Sequence, residues 1–129
     1  MSDKLNAVHR LIDSWRRRSV EEFLDCLTDD IEYHYHMGSP PVHGKAKMRK
    51  FLANYAAAYE QREWKLHAWA ENGAVLLVEG YEELYDTKYS RIIEQPFMQA
   101  YEFRGDMIAK LRDYYEPSKL RPPAAETAS

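Results

Sequence analysis

Tyrosine and histidine alternate from Tyr33 to His36, and two carboxylates, Glu82 and Asp113, stand among small or apolar residues at strand spacing. Side chains of a strand point to alternate faces, so Tyr33 and Tyr35 project with Ile31 while His34 and His36 project with Glu32. Ile31 marks the tyrosine side as the core side. Glu32, His34 and His36 share the spacing of a possible metal set, but it is equally that of an exposed strand. His9, His43 and His67 add no ligand spacing, so no metal is expected. His36 precedes the bend at Gly38 and is kept as a binding candidate that turns inward. Glu82 shares a face with Val78 and Gly80, and Asp113 with Ala109 and Leu111. Carboxylates are rarely kept on such faces without a task, although a solvated rim or a pair with Arg91 or Arg112 would also account for them. Two acids facing one pocket resist ionising together. One pKa rises, leaving one group to give a proton and one to take it near neutral pH.

These side chains must be held by the elements around them. Leu5, Val8, Leu11, Ile12 and Trp15 recur at helical spacing. Ser19 and Glu22 have the form of a capping box for a second helix carrying Phe23, Leu24 and Leu27 and ended by Asp29-Asp30. A third helix follows Gly44, with Met48, Phe51, Leu52, Tyr55 and Tyr59 on one side. From there the period is two. Segments 63–70, 74–85, 90–103 and 107–116 read as strands joined by short turns at Asn72-Gly73, Asp86-Thr87-Lys88 and Gly105-Asp106. Short connections predict an antiparallel meander, and Gly80 and Pro96 inside it predict bulges or bends. Residues 1–120 are expected to form one domain, with 121–129 a disordered Pro-rich tail.

The formal charge of −3 carries no basic footprint, so no nucleic-acid partner is expected. Arg16-Arg17-Arg18, the one basic run, suits a helix end. Cys26 stands alone, which excludes an internal disulfide, and its place on the apolar helical stripe predicts a buried, inert thiol. No apolar run approaches the ~18 residues of a membrane span and no signal-peptide core opens the chain, so a cytoplasmic protein is expected. No cofactor fingerprint is present.

The order of elements, together with "DDIEYHYH", "GSPPVHG" and "YEFRGDMIAKLRDYYEP", resembles the nuclear-transport-factor-2-like superfamily, which includes SnoaL-like cyclases, ketosteroid isomerases and limonene-1,2-epoxide hydrolases. The resemblance implies an α+β fold, three N-terminal helices on a strongly curved, mostly antiparallel sheet that forms a cone-shaped barrel with an interior pocket. It also implies a homodimer. Against the epoxide hydrolases, Asp113 falls on one catalytic aspartate, Glu82 on the other, and Tyr33 on the strand-one tyrosine. Their arginine falls on Gly80 and their asparagine on Tyr35. Against the isomerases, Tyr35 falls on the general base and Gln99 on the oxyanion-binding aspartate. Glu82, Asp113, Tyr33 and Tyr35 are therefore the candidate catalytic residues. Gln99, Phe97, Trp69 and His36 are the candidate substrate-binding ones, with Trp64 as an alternative wall because only one tryptophan can share the face of Leu66. The expected activity is cofactor-independent acid–base chemistry on a small apolar or aromatic molecule, as a hydrolase, isomerase, cyclase or lyase. The rival is a non-catalytic binding or docking module.

Overall fold

In a computed structural model describing residues 2–123, the helical periodicity becomes α1 (Asp3–Arg16). Ser2 caps it by accepting from the Leu5 amide, and Leu5, Val8, Leu11, Ile12 and Trp15 are buried along one face. Arg18 stops it in the left-handed region at φ 59°. Of the three arginines in that run, Arg16 donates to the Trp64 carbonyl at 3.1 Å and Arg17 pairs with Glu22. That pairing leaves the capping box half made. Ser19 accepts from the Glu22 amide, but the Glu22 side chain has gone to Arg17. The resulting α2 (Val20–Asp25) is shorter than expected, and Leu27 belongs to the first strand instead. Cys26 is only half buried at its C-terminal end, where burial still pushes the thiol pKa up.

Strands β1 (Leu27–His34) and β2 (Val42–His43) come next, then α3 (Lys45–Ala58) and the long strands β3 (Tyr59–Asn72), β4 (Val75–Asp86), β5 (Arg91–Arg104) and β6 (Met107–Tyr114). A 3-10 turn, Pro117–Leu120, follows. Tyr59 opens β3 rather than closing α3. The strands form one open sheet in the order β2-β1-β6-β5-β4-β3, with the three helices packed on it around a single core. The meander β3 to β6 is antiparallel as expected. The β1–β6 pair is parallel, which makes the sheet mixed. The N- and C-terminal strands meet only because the core brings them together, so no turn signal announces this pair.

Alternation along β5 is clean as far as Gln99: Ile93, Gln95, Phe97 and Gln99 are buried, while Ile92, Glu94, Pro96 and Met98 are exposed; Ala100 is then buried along with Tyr101 and Phe103. Pro96 causes no break in the β4–β5 register. In the β3–β4 pair the irregularities lie on edge strand β3, between Gln61 and Glu63 and between Leu66 and Ala68, the second opposite Gly80, and further register shifts occur in the β1–β6 and β5–β6 pairs. Bulges bend a strand and increase its twist, and these lie beside the helices that the sheet covers. Among the described residues no helix is long and apolar enough to cross a membrane. Of the expected tail, residues 121–123 are exposed without regular structure, and 124–129 lie outside the described residues.

Candidate functional site

A cavity of about 240 Å³ opens between the helices and the inner sheet face. Its size, just under the ~300–1,000 Å³ typical of ligand pockets, suits a small molecule. Trp15 from α1, Phe23 from α2, and Phe51 and Tyr55 from α3 form one wall. Tyr33, Tyr35, Phe51 and Tyr55 make a run of ring contacts 5.0–6.4 Å between centroids. Aromatic faces in this packing give a rigid, apolar surface.

The polar groups come from cross-strand pairs on the opposite wall. Gln99 of β5 stands directly opposite Asp113 of β6, and Gln95 of β5 opposite Glu82 of β4, whose other neighbour is Trp64 of β3. Asp113 accepts from Gln99 Nε2 at 2.6 Å through Oδ1 and from the Tyr33 hydroxyl through Oδ2. Gln99 in turn accepts from Tyr101 at 2.6 Å. Glu82 accepts from Gln95 Nε2 at 2.8 Å and more weakly from Gln61 at 3.5 Å. Burial pushes the Asp113 pKa up to about 6, against the pull of its two donors, and the charge on Glu82 adds to the rise. Burial raises the Glu82 pKa as well, opposed by Gln95 and Gln61. No Lys, Arg or His is among the described residues that line the cavity. Nothing there neutralises two ionised carboxylates, so the pair is set up to hold a proton.

Gly80 explains why no cation sits between them. A Cβ built there would lie 2.0 Å from the Lys65 carbonyl oxygen and 2.7 Å from Phe97 Cζ. Phe97 occupies the space into which a side chain at position 80 would grow.

Of the residues expected from sequence, Tyr33, Tyr35, Glu82, Phe97, Gln99 and Asp113 are brought together here. Trp69 is not. It is 51% exposed and outside the cavity lining, and Trp64, 9% exposed, forms the wall instead. The bulge at His67 shifts the alternation by one. Both tryptophans therefore pair with inward residues, Trp64 with Glu82 and Trp69 with Val78, contrary to the expectation that only one could share the face of Leu66. His36 does not line the cavity either. Its Nδ1 lies 3.3 Å from the hydroxyl of Tyr115, which does. His34 lies 2.8 Å from Glu32, and no group of three or more potential metal ligands gathers among the described residues. Sequence reasoning missed Gln61, Gln95, Tyr55 and Tyr115. Gln95 carried a usable signal, because it shares the β5 parity of Phe97 and Gln99. Tyr55 read only as part of an apolar helix face, yet the charges of Glu82 and Asp113 both raise its pKa, after burial.

The SnoaL-like domain family matches residues 8–111. No curated protein matches the sequence. Among solved structures, a Burkholderia pseudomallei NTF2-like protein of unknown function is 17% identical with a TM-score of 0.83, covering 93% of this chain and 95% of that one. TerC, co-crystallised with polyporic acid, is 17% identical at 0.80, covering 92% and 95%. An LEH-like epoxide hydrolase of M. tuberculosis is 19% identical at 0.77, covering 91% and 85%. At these identities the likeness is one of fold.

Proposed function

Because the chain belongs to the SnoaL-like domain family, we propose that it is a cofactor-independent acid–base enzyme acting on a small apolar or aromatic molecule in the cavity between its helices and its sheet. The observation that carries this is the pair of buried carboxyls, Glu82 and Asp113, each held by a glutamine amide in an aromatic cavity lined by no cation. One carboxylate takes a proton from the substrate, or from a water that attacks it, and the other carboxyl returns a proton to the oxygen that gains charge. Ring opening of an epoxide by water fits this scheme and the likeness of fold to an epoxide hydrolase. Proton relocation, as in an isomerase, cyclase or lyase, is favoured by one specific feature: by the resemblance, Tyr35, which lines the cavity, takes the place of the hydrolases' asparagine.

Two sets of probes separate these readings, small aryl epoxides in ¹⁸O-labelled water and enolisable aryl ketones in deuterated water. Label uptake is expected in one set and is lost in both Glu82→Gln and Asp113→Asn. Binding without label uptake in either set would make the protein a ligand-binding module, and uptake that survives both substitutions would sink the carboxylate mechanism. The charge of the site also predicts selectivity. Benzyl alcohol should bind at least about tenfold more tightly than benzoate at pH 7.5, since a second uncompensated anion in a low-dielectric cavity is costly. Calorimetry checks this.

For a partner we propose a second copy of the chain on the outer sheet face. Leu77, Met98 and Tyr114 are exposed there, and the register sets Met98 opposite Tyr114 with Leu77 diagonal to it. Met98→Glu is expected to shift sedimentation from dimer to monomer, and a parent that sediments as a monomer would refute the proposal.

A further inference from the structure

We infer that two amides of β5 decide which carboxyl carries the proton: Gln99, locked by Tyr101, keeps Asp113 as the base, and the unlocked Gln95 lets Glu82 be the acid. Its catalytic meaning rests on the acid–base reading above. Its physical content does not.

The lock is a matter of hydrogen-bond supply. Tyr101 is 0% exposed, and its hydroxyl proton has one acceptor among the described residues, Gln99 Oε1 at 2.6 Å. Burial holds this phenol well above its ordinary range, so it remains a donor. If the Gln99 amide turned over, its NH₂ would face Tyr101 and the tyrosine proton would lose its acceptor, which is costly in a buried site. Gln99 Nε2 is thereby fixed on Asp113 Oδ1, at 2.6 Å, while Tyr33 donates to Oδ2. A proton arriving on Asp113 would meet the fixed Gln99 donor at Oδ1, and at Oδ2 it would turn the Tyr33 hydroxyl from donor to acceptor, away from its one acceptor among the described residues. The carboxylate form avoids this conflict.

Glu82 has the opposite arrangement. Gln95 is 1% exposed and donates to it at 2.8 Å, but Gln95 Oε1 has no partner among the described residues. The residue two positions beyond Gln99 is Tyr101, and the one two positions beyond Gln95 is Phe97, which has no hydroxyl. Turning the Gln95 amide therefore breaks no bond on its far side. Turned, it offers Oε1 to accept from a protonated Glu82, so this site can hold or release a proton. The charge of Glu82, where present, raises Asp113 and so works against the order that the amides set. The other titratable groups facing the acid pair, Tyr33 from β1, Tyr55 from α3, Tyr101 from β5 and Tyr115 after β6, are phenols that burial raises above their ordinary range. Exchange near neutral pH is thus left to the two carboxyls. Tyr101 is a positioning residue, acting on Asp113 through Gln99.

Carboxyl and side-chain amide NMR titrations test this without any substrate. In the parent, Asp113 is expected to ionise at lower pH than Glu82. The Gln95 side-chain ¹⁵N signal should follow the Glu82 midpoint, with that of Gln99 unmoved by it. Tyr101→Phe should raise the Asp113 midpoint by about one pH unit, a tenfold change in its ionisation constant. A parent in which Glu82 ionises first, or in which Gln95 ignores Glu82, overturns the inference whether or not the variant folds. So does a folded Tyr101→Phe with an unchanged Asp113 midpoint. The expected proton order in a protein that takes up no label would overturn only the catalytic reading.

Discussion

Asp113→Asn is expected to lower turnover by about 10²–10⁴-fold, the range for loss of a positioned acid–base group, while removing a cost in stability that grows as pH rises to neutral. The two effects have one cause. In the folded chain the Asp113 pKa is pushed up to about 6, from an ordinary value of 3.8. A group with a raised folded pKa adds stability that is present below its unfolded value and is lost as pH climbs through the folded one. Between about pH 4 and 6 the folded chain binds the proton more tightly, so parent stability falls as pH rises through that window. Each tenfold change in an ionisation constant is worth about 1.4 kcal/mol, so the loss is on the order of 2–3 kcal/mol. The asparagine variant keeps the shape and removes the charge. Urea melts of the two proteins from pH 4 to 8 should diverge in favour of the variant as pH rises, by roughly that amount. If the difference stays flat with pH, burial of the Asp113 charge does not destabilise the fold in this way. If the melts diverge but turnover is untouched, the residue is buried at a cost in stability without being catalytic.

Gly80→Ala should be among the most destabilising single substitutions in the sheet, by roughly 3 kcal/mol or more. The added methyl would meet backbone at 2.0 Å, the carbonyl oxygen of Lys65, with the Phe97 ring at 2.7 Å on the other side. Ring tips can give way, but the bulged β3 backbone has to move as a unit, and overpacking a close contact of this kind is costly. Gly105→Ala is the control. There φ is 65° and nothing lies within 4 Å, so only backbone strain of about 1–2 kcal/mol is expected. Denaturant melts that place Gly80→Ala within about 1 kcal/mol of the parent would show that the close approach is not a constraint. The same contact argues that Gly80→Arg will not rebuild a cation between the carboxyls. Phe97 and Gly80 are a matched pair, and the acid pair stays without a counterion because of them.

Features that depend on neighbours along the chain were legible in the residues alone. Helical spacing put Trp15 inside, two-residue alternation put Tyr33, Glu82 and Asp113 on inner faces, and the resemblance pointed to Gln99. Alternation is local geometry, so it survives as long as the strand is regular. It failed on β3, where one extra residue at His67 shifted Trp69 onto the face of Trp64 yet left it 51% exposed, away from the cavity. A bulge is chosen by what the partner strand and the core can accommodate, and position 67 carries no mark of it. The parallel meeting of β1 and β6 exists only in the folded core, and it hands the Tyr33 hydroxyl to Asp113 across 80 residues of sequence. The same holds for the two glutamines of β5, one locked and the other free, because hydrogen-bond supply in a buried site is set by every element that closes over it.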